Sequence, residues 1–205
     1  AIGAGTLENQ NSDVDNYNVA VGYNAGNDVT TGVQNTLIGG EAGDALTEGD
    51  QNVAVGFGAL TQDTLGNYSV AIGREALYAQ NQTTATNTYN TAVGYKAGTS
   101  VTTGIRNTII GGLAGDALTV GVDNVAIGTD ALSTDTDGHR TVAVGKGALN
   151  SQLFGTGTNT YNVAVGYEAG TSVTSGTGNT LIGGQSADAL TTGTENTSVG
   201  YLSLS

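Results

Sequence analysis

Few side chains in this sequence could carry out chemistry. Its 205 residues include one histidine, His139, and no cysteine. General acid–base or nucleophilic catalysis needs several reactive groups brought together at one place. We therefore expect no enzymatic activity and assign no catalytic residue. We interpret His139, beside Arg140, as a solvated residue at a turn.

Three segments that contain glycine are similar to parts of known ligand-binding loops. Residues 138–147 superficially resemble a phosphate loop, but Lys146 is followed by Gly147 rather than by Ser or Thr. Residues 39–44 are similar to the glycine-rich calcium β-roll, but that motif must repeat without a break, and here it returns only at 111–116. Residues 135–138 match only a fragment of a calcium loop. We predict no cofactor and no metal ligand; an adventitious surface Ca²⁺ stays open as an alternative.

The charge balance excludes some partners. The chain has 18 acidic and 5 basic side chains, for a formal net charge of −13. Binding to phosphates needs clustered Lys and Arg, so this balance disfavours nucleic acid and anionic membranes. No apolar run approaches the about 20 residues of a membrane helix. We expect no nucleic-acid partner and no membrane insertion by this segment.

One repeated stretch builds the whole chain and must position every side chain named above. It reads Asn, a β-branched residue, a small or aliphatic residue, Val or Ile, Gly, and then Ala or Ser three places later, as in residues 90–98. Successive copies follow at a nearly constant interval, and every fourth interval is longer. Each block of four copies is therefore a second-order repeat, which we call a super-repeat. The twelve central glycines are Gly3, Gly22, Gly39, Gly56, Gly73, Gly94, Gly111, Gly128, Gly145, Gly166, Gly183 and Gly200.

Such a repeat indicates a solenoid. Each unit is too short for a pair of helices, and short Val, Ile and Thr runs bounded by Asn and Gly are typical of strands. We predict an all-β protein, a parallel β-roll or β-solenoid of about twelve coils of 17–21 residues. Residues 1–205 form one domain, with super-repeats at about 18–89, 90–161 and 162–205. The last is truncated, and we interpret the chain as a fragment of a longer fibre.

Each predicted strand is apolar on both faces. In the first strand Val19 and Val21 point one way and Ala20 the other, because strand side chains alternate. A strand that is apolar on both faces is buried on both. One face can fill the narrow interior of the coil, and the other needs a cover. The simplest cover is an identical chain, so we predict that the protein associates with itself.

An asparagine opens most of the units. Asparagine tolerates a left-handed turn and bonds locally, and stacked copies about 4.8 Å apart could form a side-chain ladder. We interpret these residues as structural. They are Asn18, Asn35, Asn52, Asn90, Asn107, Asn124, Asn162, Asn179 and Asn196, with Ser69 and Thr141 at the two remaining positions.

The repeat resembles a known family. Residues 69–73, Ser-Val-Ala-Ile-Gly, resemble the repeat of the YadA-like head in trimeric autotransporter adhesins, and residues 90–95, Asn-Thr-Ala-Val-Gly-Tyr, are similar to repeats of bacteriophage tail fibres. The resemblance extends over essentially the whole chain. It implies a left-handed parallel β-roll, three identical chains side by side, and an adhesive or spacer role outside the cell or on a virion.

Two sets of residues are candidates for contact with a partner. Aromatic and basic side chains follow several central glycines, where aromatic rings could stack on sugars of a host-surface glycan or contact a host protein. The alternative is that they only pack against neighbouring coils or chains. The two longer units add residues 80–87 and 151–158, which we predict to be exposed loops. The candidates are Tyr23, Tyr95, Lys96 and Tyr167 in the first set and Asn81, Thr83 and Phe154 in the second.

The sequence therefore predicts a segment of a homotrimeric surface fibre, either an adhesin head or a phage tail fibre, located on a cell surface or a virion. One alternative is a purely structural spacer or a self-assembling extracellular filament. Another is an ice-binding solenoid, which needs threonine ranks in every coil. The threonine pairs, such as residues 30–31 and 102–103, recur only every fourth coil.

Overall fold

The computed structural model describes residues 1–11 and 15–205, and among these it contains β-strands and turns but no helix. The chain is a parallel β-solenoid of about eleven turns. This confirms the all-β solenoid class predicted from the repeat. The predicted count was about twelve coils; ahead of the eleven full strands, Ile2 makes only an isolated bridge to Val21.

Each coil contributes one three-residue strand to a single parallel sheet, and four two-residue strands form two small extra sheets. Strands follow one another in sequence order, and each pairs with the next in register, as in Val19 with Thr36. The small sheets pair β4 with β6 and β10 with β12. The strands are β1 Val19–Val21, β2 Thr36–Ile38, β3 Val53–Val55, β4 Gly66–Asn67, β5 Val70–Ile72, β6 Thr86–Asn87, β7 Thr91–Val93, β8 Thr108–Ile110, β9 Val125–Ile127, β10 Gly138–His139, β11 Val142–Val144, β12 Thr158–Asn159, β13 Val163–Val165, β14 Thr180–Ile182 and β15 Thr197–Val199.

The middle residue of each long strand points into the coil. Most of these residues are alanines, because the interior is narrow, but Leu37, Ile109 and Leu181 stand at the same position and are also fully buried. The larger side chains fit because they lie over glycine. A Cβ atom on Gly26 would lie 2.5 Å from Leu37 Cδ1, and one on Gly98 would lie 2.8 Å from Ile109 Cδ1. A large side chain in one coil therefore fills the space left by a glycine in the neighbouring coil.

The central glycine ends each strand at a position that excludes a side chain. Gly94 has a φ of 140°, a conformation that L-residues rarely adopt, and a Cβ atom there would lie 2.5 Å from the carbonyl oxygen of Gly111. The backbones of adjacent coils touch at this column. The repeated glycine therefore sets both the bend and the spacing of the coils.

The first and third residues of each long strand point outward and form the outward face of the sheet. The third-position column contains only Val and Ile, from Val21 in β1 to Val199 in β15. The first-position column alternates irregularly between Val and Thr. Several of these residues are more than a third exposed, including Ile38 at 39% and Ile110 at 38%. One apolar face fills the coil as predicted, and the other lies uncovered in the single chain.

Candidate contact surfaces and internal polar sites

The asparagine column lies inside the solenoid and bonds to the backbone. Each side-chain oxygen accepts a hydrogen bond from the backbone N–H of the next member, as in Asn52 N–H to Asn35 Oδ1 at 2.9 Å. Except at Asn196, each amide group donates to a glycine carbonyl at the far corner of its own coil, as in Asn107 Nδ2 to Gly121 O at 2.8 Å. From Asn35 to Asn179 the members are fully buried. The column therefore ties each strand to the corner of its own coil and to the next coil.

A buried polar site that the sequence reasoning missed lies where this column is interrupted by Ser69. Gln80 Nε2 donates to Asp63 Oδ2 at 2.5 Å and to Ser69 Oγ at 2.7 Å, and Asn90 Nδ2 donates to Gln80 Oε1 at 2.8 Å. The hydroxyls of Ser69 and Thr88 are 2.6 Å apart. All five residues are fully buried. We call this set the first polar node.

The same arrangement recurs one super-repeat later as the second polar node. Gln152 Nε2 donates to Asp135 Oδ2 at 2.6 Å and to Thr141 Oγ1 at 3.0 Å. The same glutamine accepts from Asn162 Nδ2 at 2.8 Å, and the Thr141 and Thr160 hydroxyls are 2.6 Å apart. The usable sequence signal was the replacement of Val or Leu by Asp and Gln at one fixed offset in two coils of every four.

The inserted loops are only partly exposed, which corrects the prediction for residues 80–87 and 151–158. Gln80 and Gln152 are fully buried in the nodes and Gln82 is 5% exposed, because all three face the coil interior. Asn81 and Thr83 are exposed, and Phe154 is half-buried. The exposed tips shrink to residues 83–85 and 155–157, with Leu153 exposed at 50% beside the second.

The candidate aromatic residues are exposed, but cations cover some of their faces. Tyr23, Tyr95 and Tyr167 are 62%, 49% and 50% exposed. The ammonium of Lys96 lies 5.6 Å from the ring centre of Tyr95, and that of Lys146 lies 5.9 Å from the ring centre of Tyr167. Such contacts stabilise the cation by about 0.5–1 kcal/mol at exposed sites. Tyr23 has no recorded cation over its ring in the described part of the chain.

A second aromatic column, at the position before the coil-opening asparagine, was not singled out from the sequence. The rings of Tyr68 and Tyr89 are stacked with centres 5.3 Å apart and planes 8° apart. Further along, Arg140 lies over the ring of Tyr161 at 5.9 Å. Tyr17 begins this column and is 68% exposed. The two aromatic columns flank the outward face of the sheet, one along each edge.

Charged residues on these edges form ion pairs within a coil and between neighbouring coils. Arg106 Nε donates to Asp123 Oδ1 at 2.6 Å, and this hydrogen bond lowers the pKa of Asp123 and raises that of Arg106. On the other edge Glu75 Oε1 lies 2.9 Å from Arg74 Nη2, and Glu75 Oε2 lies 3.4 Å from Lys96 Nζ. These pairs are partly exposed to solvent, so each contributes little to stability.

Two carboxyl groups have raised pKa values. Partial burial, followed by repulsion from Glu41, raises the pKa of Asp44 to about 6. Partial burial also raises the pKa of Asp116, which occupies the equivalent position in the next super-repeat. One oxygen of each carboxyl group, Oδ1, is buried without a hydrogen-bond partner. Residues 1–11 and 15–205 contain no group of three or more His, Asp or Glu side chains that could hold a metal ion.

One column of threonines extends through more coils than the sequence analysis indicated. Thr30, Thr47, Thr102 and Thr119 occupy one column, and each hydroxyl donates to the backbone carbonyl of the next coil at 3.1 Å. Thr64, Thr136 and Thr174 continue it with similar bonds. These hydroxyls donate to the next coil of the solenoid and are therefore not free to donate to an external surface.

The fold and these surfaces define the class as a parallel β-solenoid repeat protein with two aromatic edges and two internal polar nodes. Comparison with known proteins found no matching family model, curated protein or solved structure. Nowhere in the described ranges is there a helix with the length and hydrophobicity needed to cross a membrane.

Proposed function

We propose that this chain is a segment of a homotrimeric extracellular fibre, on a cell surface or a virion, that presents a multivalent adhesive surface to a host glycan or protein. Its three chains are left-handed β-rolls packed side by side. The observation that carries the proposal is the outward sheet face, with its column of Val and Ile running through all eleven long strands. The sequence resemblance to adhesin heads and tail fibres agrees with it.

The outward face is large enough for a stable interface. Eleven strands about 4.8 Å apart span about 50 Å along the axis, and the strands with their flanking edge residues span about 20 Å, which gives about 1,000 Å² per chain. Stable interfaces bury about 800 Å² on each partner. Contiguous exposed apolar patches mark interaction surfaces, and the column of Val and Ile runs along the whole length of this face.

The charge distribution along the chain also bears on association. All five Lys and Arg residues fall within residues 74–146, together with six acidic residues, so this stretch has a net charge of −1. The chain as a whole has a net charge of −13. Repulsion between identical chains packed side by side is therefore lowest along this stretch.

Light scattering after size-exclusion chromatography tests the trimer. We expect three chains per particle for the wild type and dissociation for the variant Ile72→Lys/Ile110→Lys, which places two ammonium groups on the outward face. Thr83→Lys adds a charge at an exposed loop tip and should leave the trimer intact. A folded wild-type monomer would overturn the proposal.

Adhesion is tested by binding the trimer to cells and to a glycan panel, with the loop tips 83–85 and 155–157 intact or shortened to match the shorter coils. Because three chains each carry both loops, weak contacts are multiplied by avidity. We expect shortening to lower binding at least tenfold. Equal binding would remove the loops from the contact surface, and no binding by any form would favour a structural spacer or filament subunit.

One observation favours ice binding as a second candidate. The outward face carries only Val, Ile and Thr in two columns with the spacing of the sheet. Thermal hysteresis of a cooled solution tests it directly. A measurable freezing gap that Ile110→Lys abolishes would replace the fibre proposal with an ice-binding one.

A further inference from the structure

The inserted loop of the first long coil is attached to the buried carboxylate of the first polar node. Asp63 Oδ1 accepts hydrogen bonds from the backbone N–H groups of Gly66 and Gln82, both at 3.1 Å. Gly66 begins β4, and Gln82 directly precedes the exposed tip 83–85. After the tip, β6 returns to pair with β4. One carboxylate therefore holds both the entry of the loop and the strand to which the loop returns.

The second long coil repeats this attachment with different surface residues. Asp135 Oδ1 accepts from the backbone N–H groups of Gly138 at 3.2 Å and Phe154 at 3.0 Å. Gly138 begins β10, and Phe154 directly precedes the tip 155–157. The tips differ in sequence, Thr-Thr-Ala in one and Gly-Thr-Gly in the other, whereas the carboxylate and its backbone donors are arranged in the same way.

The node requires a group that only accepts hydrogen bonds. Two hydrogen bonds orient the side chain of Asn90: its Nδ2 donates to Gly104 O, and its Oδ1 accepts from the backbone N–H of Asn107. The Nδ2 group therefore also faces Gln80 Oε1 and donates to it. The amide of Gln80 then points at Asp63 together with the two backbone donors. A carboxylate accepts all three bonds, whereas a carboxamide would place its own N–H groups against donors.

We propose that Asp63 and Asp135 are positioning residues that hold the two inserted loops in one conformation, so that the tips 83–85 and 155–157 are presented as rigid contact elements about 19 Å apart along the fibre. No Lys or Arg in the described part of the chain pairs with either carboxylate. The N–H donors therefore offset the desolvation cost of each buried carboxylate without help from an ion pair. A loop ordered in advance loses less entropy on binding. The role of the tips in binding rests on the proposed function; their immobilisation does not.

Hydrogen exchange of single amides tests the clamp in the variants Asp63→Ala and Asp135→Ala, which remove the acceptor of the backbone N–H groups. We expect the Gly66 and Gln82 amides to exchange at least tenfold faster in Asp63→Ala, and those of Gly138 and Phe154 to do so in Asp135→Ala. Asp137→Ala removes a carboxylate outside the second polar node and should leave all four rates unchanged. Unchanged rates in both node variants would overturn the proposal.

A second variant separates loop positioning from core stability. Asp63→Val/Gln80→Leu installs apolar residues of the kind that Val29 and Leu46 provide in other coils, so the solenoid should fold even if Asp63→Ala does not. The Gly66 and Gln82 amides should still exchange at least tenfold faster, while the Val70 amide, which bonds to Asn90 O in the main sheet, exchanges as in the wild type. Wild-type rates at Gly66 and Gln82 would refute the clamp.

Binding of the same variants to cells and to the glycan panel separates the two proposals. If both hold, the node variants have loosened loops and at least threefold weaker binding. If loosened loops leave binding unchanged, the tips are not contact elements and the presentation role is overturned. If no form binds but exchange responds as expected, the adhesive function fails and the clamp stands.

Discussion

Two pairs of coils within each super-repeat fill the same interior in different ways. In the apolar pair, the coils of Gly22 and Gly39, the second buried position holds Val29 and Leu46. In the polar pair, the coils of Gly56 and Gly73, that position holds the fully buried Asp63 and Gln80. Both pairs recur in the next super-repeat.

A compensating exchange at the turn accompanies this difference. The left-handed turn position is Gly26 in the apolar pair, with a φ of 61°, and Leu60 in the polar pair, with a φ of 54°. Leu60 and Leu77 fill the interior from the turn, so the strands above them need only alanine. One strand leucine, Leu37, is thus replaced by two turn leucines, and the remaining site is closed by hydrogen bonds. The super-repeat therefore alternates two packing solutions for the same interior.

The largest expected effect comes from placing the residue type of one pair at the second buried position of the other pair. Leu46→Asp buries a carboxylate with no N–H donors around it, and should lower the free energy of unfolding by about 4 kcal/mol. Asp63→Leu leaves three donors without an acceptor and should lower it by about 3 kcal/mol. Urea unfolding followed by circular dichroism measures both. A loss below about 1 kcal/mol for either would mean that the two sites are interchangeable.

An intermediate effect is expected at the strand. Leu37→Ala should cost about 3 kcal/mol, because the side chain is fully buried over Gly26 and leaves a cavity. The double variant Gly26→Leu/Leu37→Ala copies the packing of the polar pair and should recover part of that loss, since Leu60 tolerates the same backbone conformation. A double-mutant cycle by urea unfolding would show this coupling. Strictly additive losses would contradict volume exchange between coils.

The smallest expected effect is a dependence of stability on pH, which distinguishes the apolar pair of coils from the polar pair. Asp44 lies in the apolar pair, at the position that Thr61 occupies in the polar pair. Because its pKa in the folded state is about 6, above the ordinary 3.8, the folded state binds the proton more tightly. Stability should therefore fall as the pH rises from 4 to 6, by about 1 kcal/mol after allowance for solvent screening.

The control for this pH effect is substitution at the two equivalent positions. Asp44→Asn should reduce the fall in stability between pH 4 and pH 6, and Asp116, whose pKa is also raised, should account for part of the remainder. Thr61→Asn should leave the fall unchanged. Urea midpoints measured across this range test both expectations, and an undiminished fall in Asp44→Asn would assign it to other carboxyl groups.

Much of the fold follows from local pattern. The short repeat unit, the Val-Ala-Val alternation and the central glycines predict the strand, its two apolar faces and the corner at each coil, because each depends on residues adjacent in the chain or one repeat away. The fully buried Gln80 could not be recognised in the same way. Its polar side chain in a longer unit is typical of a loop, and only a partner in the preceding coil, Asp63, makes its burial favourable.

The candidate surface was predicted less completely for the same reason. The sequence singled out Tyr95 and Tyr167 as exposed aromatics, and they are exposed. It did not indicate that Lys96 and Lys146 lie over their rings, or that Tyr68 and Tyr89 stack. These contacts join residues of the same or adjacent coils whose side-chain directions depend on the turn geometry.

By itself the sequence determined that this chain is a parallel β-solenoid with one coil per repeat, because a short, regular period with strand-forming runs and an obligatory glycine has few other ways to bury its apolar side chains. Only the tertiary structure decided which polar residues are buried, where the inserted loops are anchored and which apolar face is left uncovered. Those outcomes depend on hydrogen bonds and volumes shared between coils, which no single repeat contains.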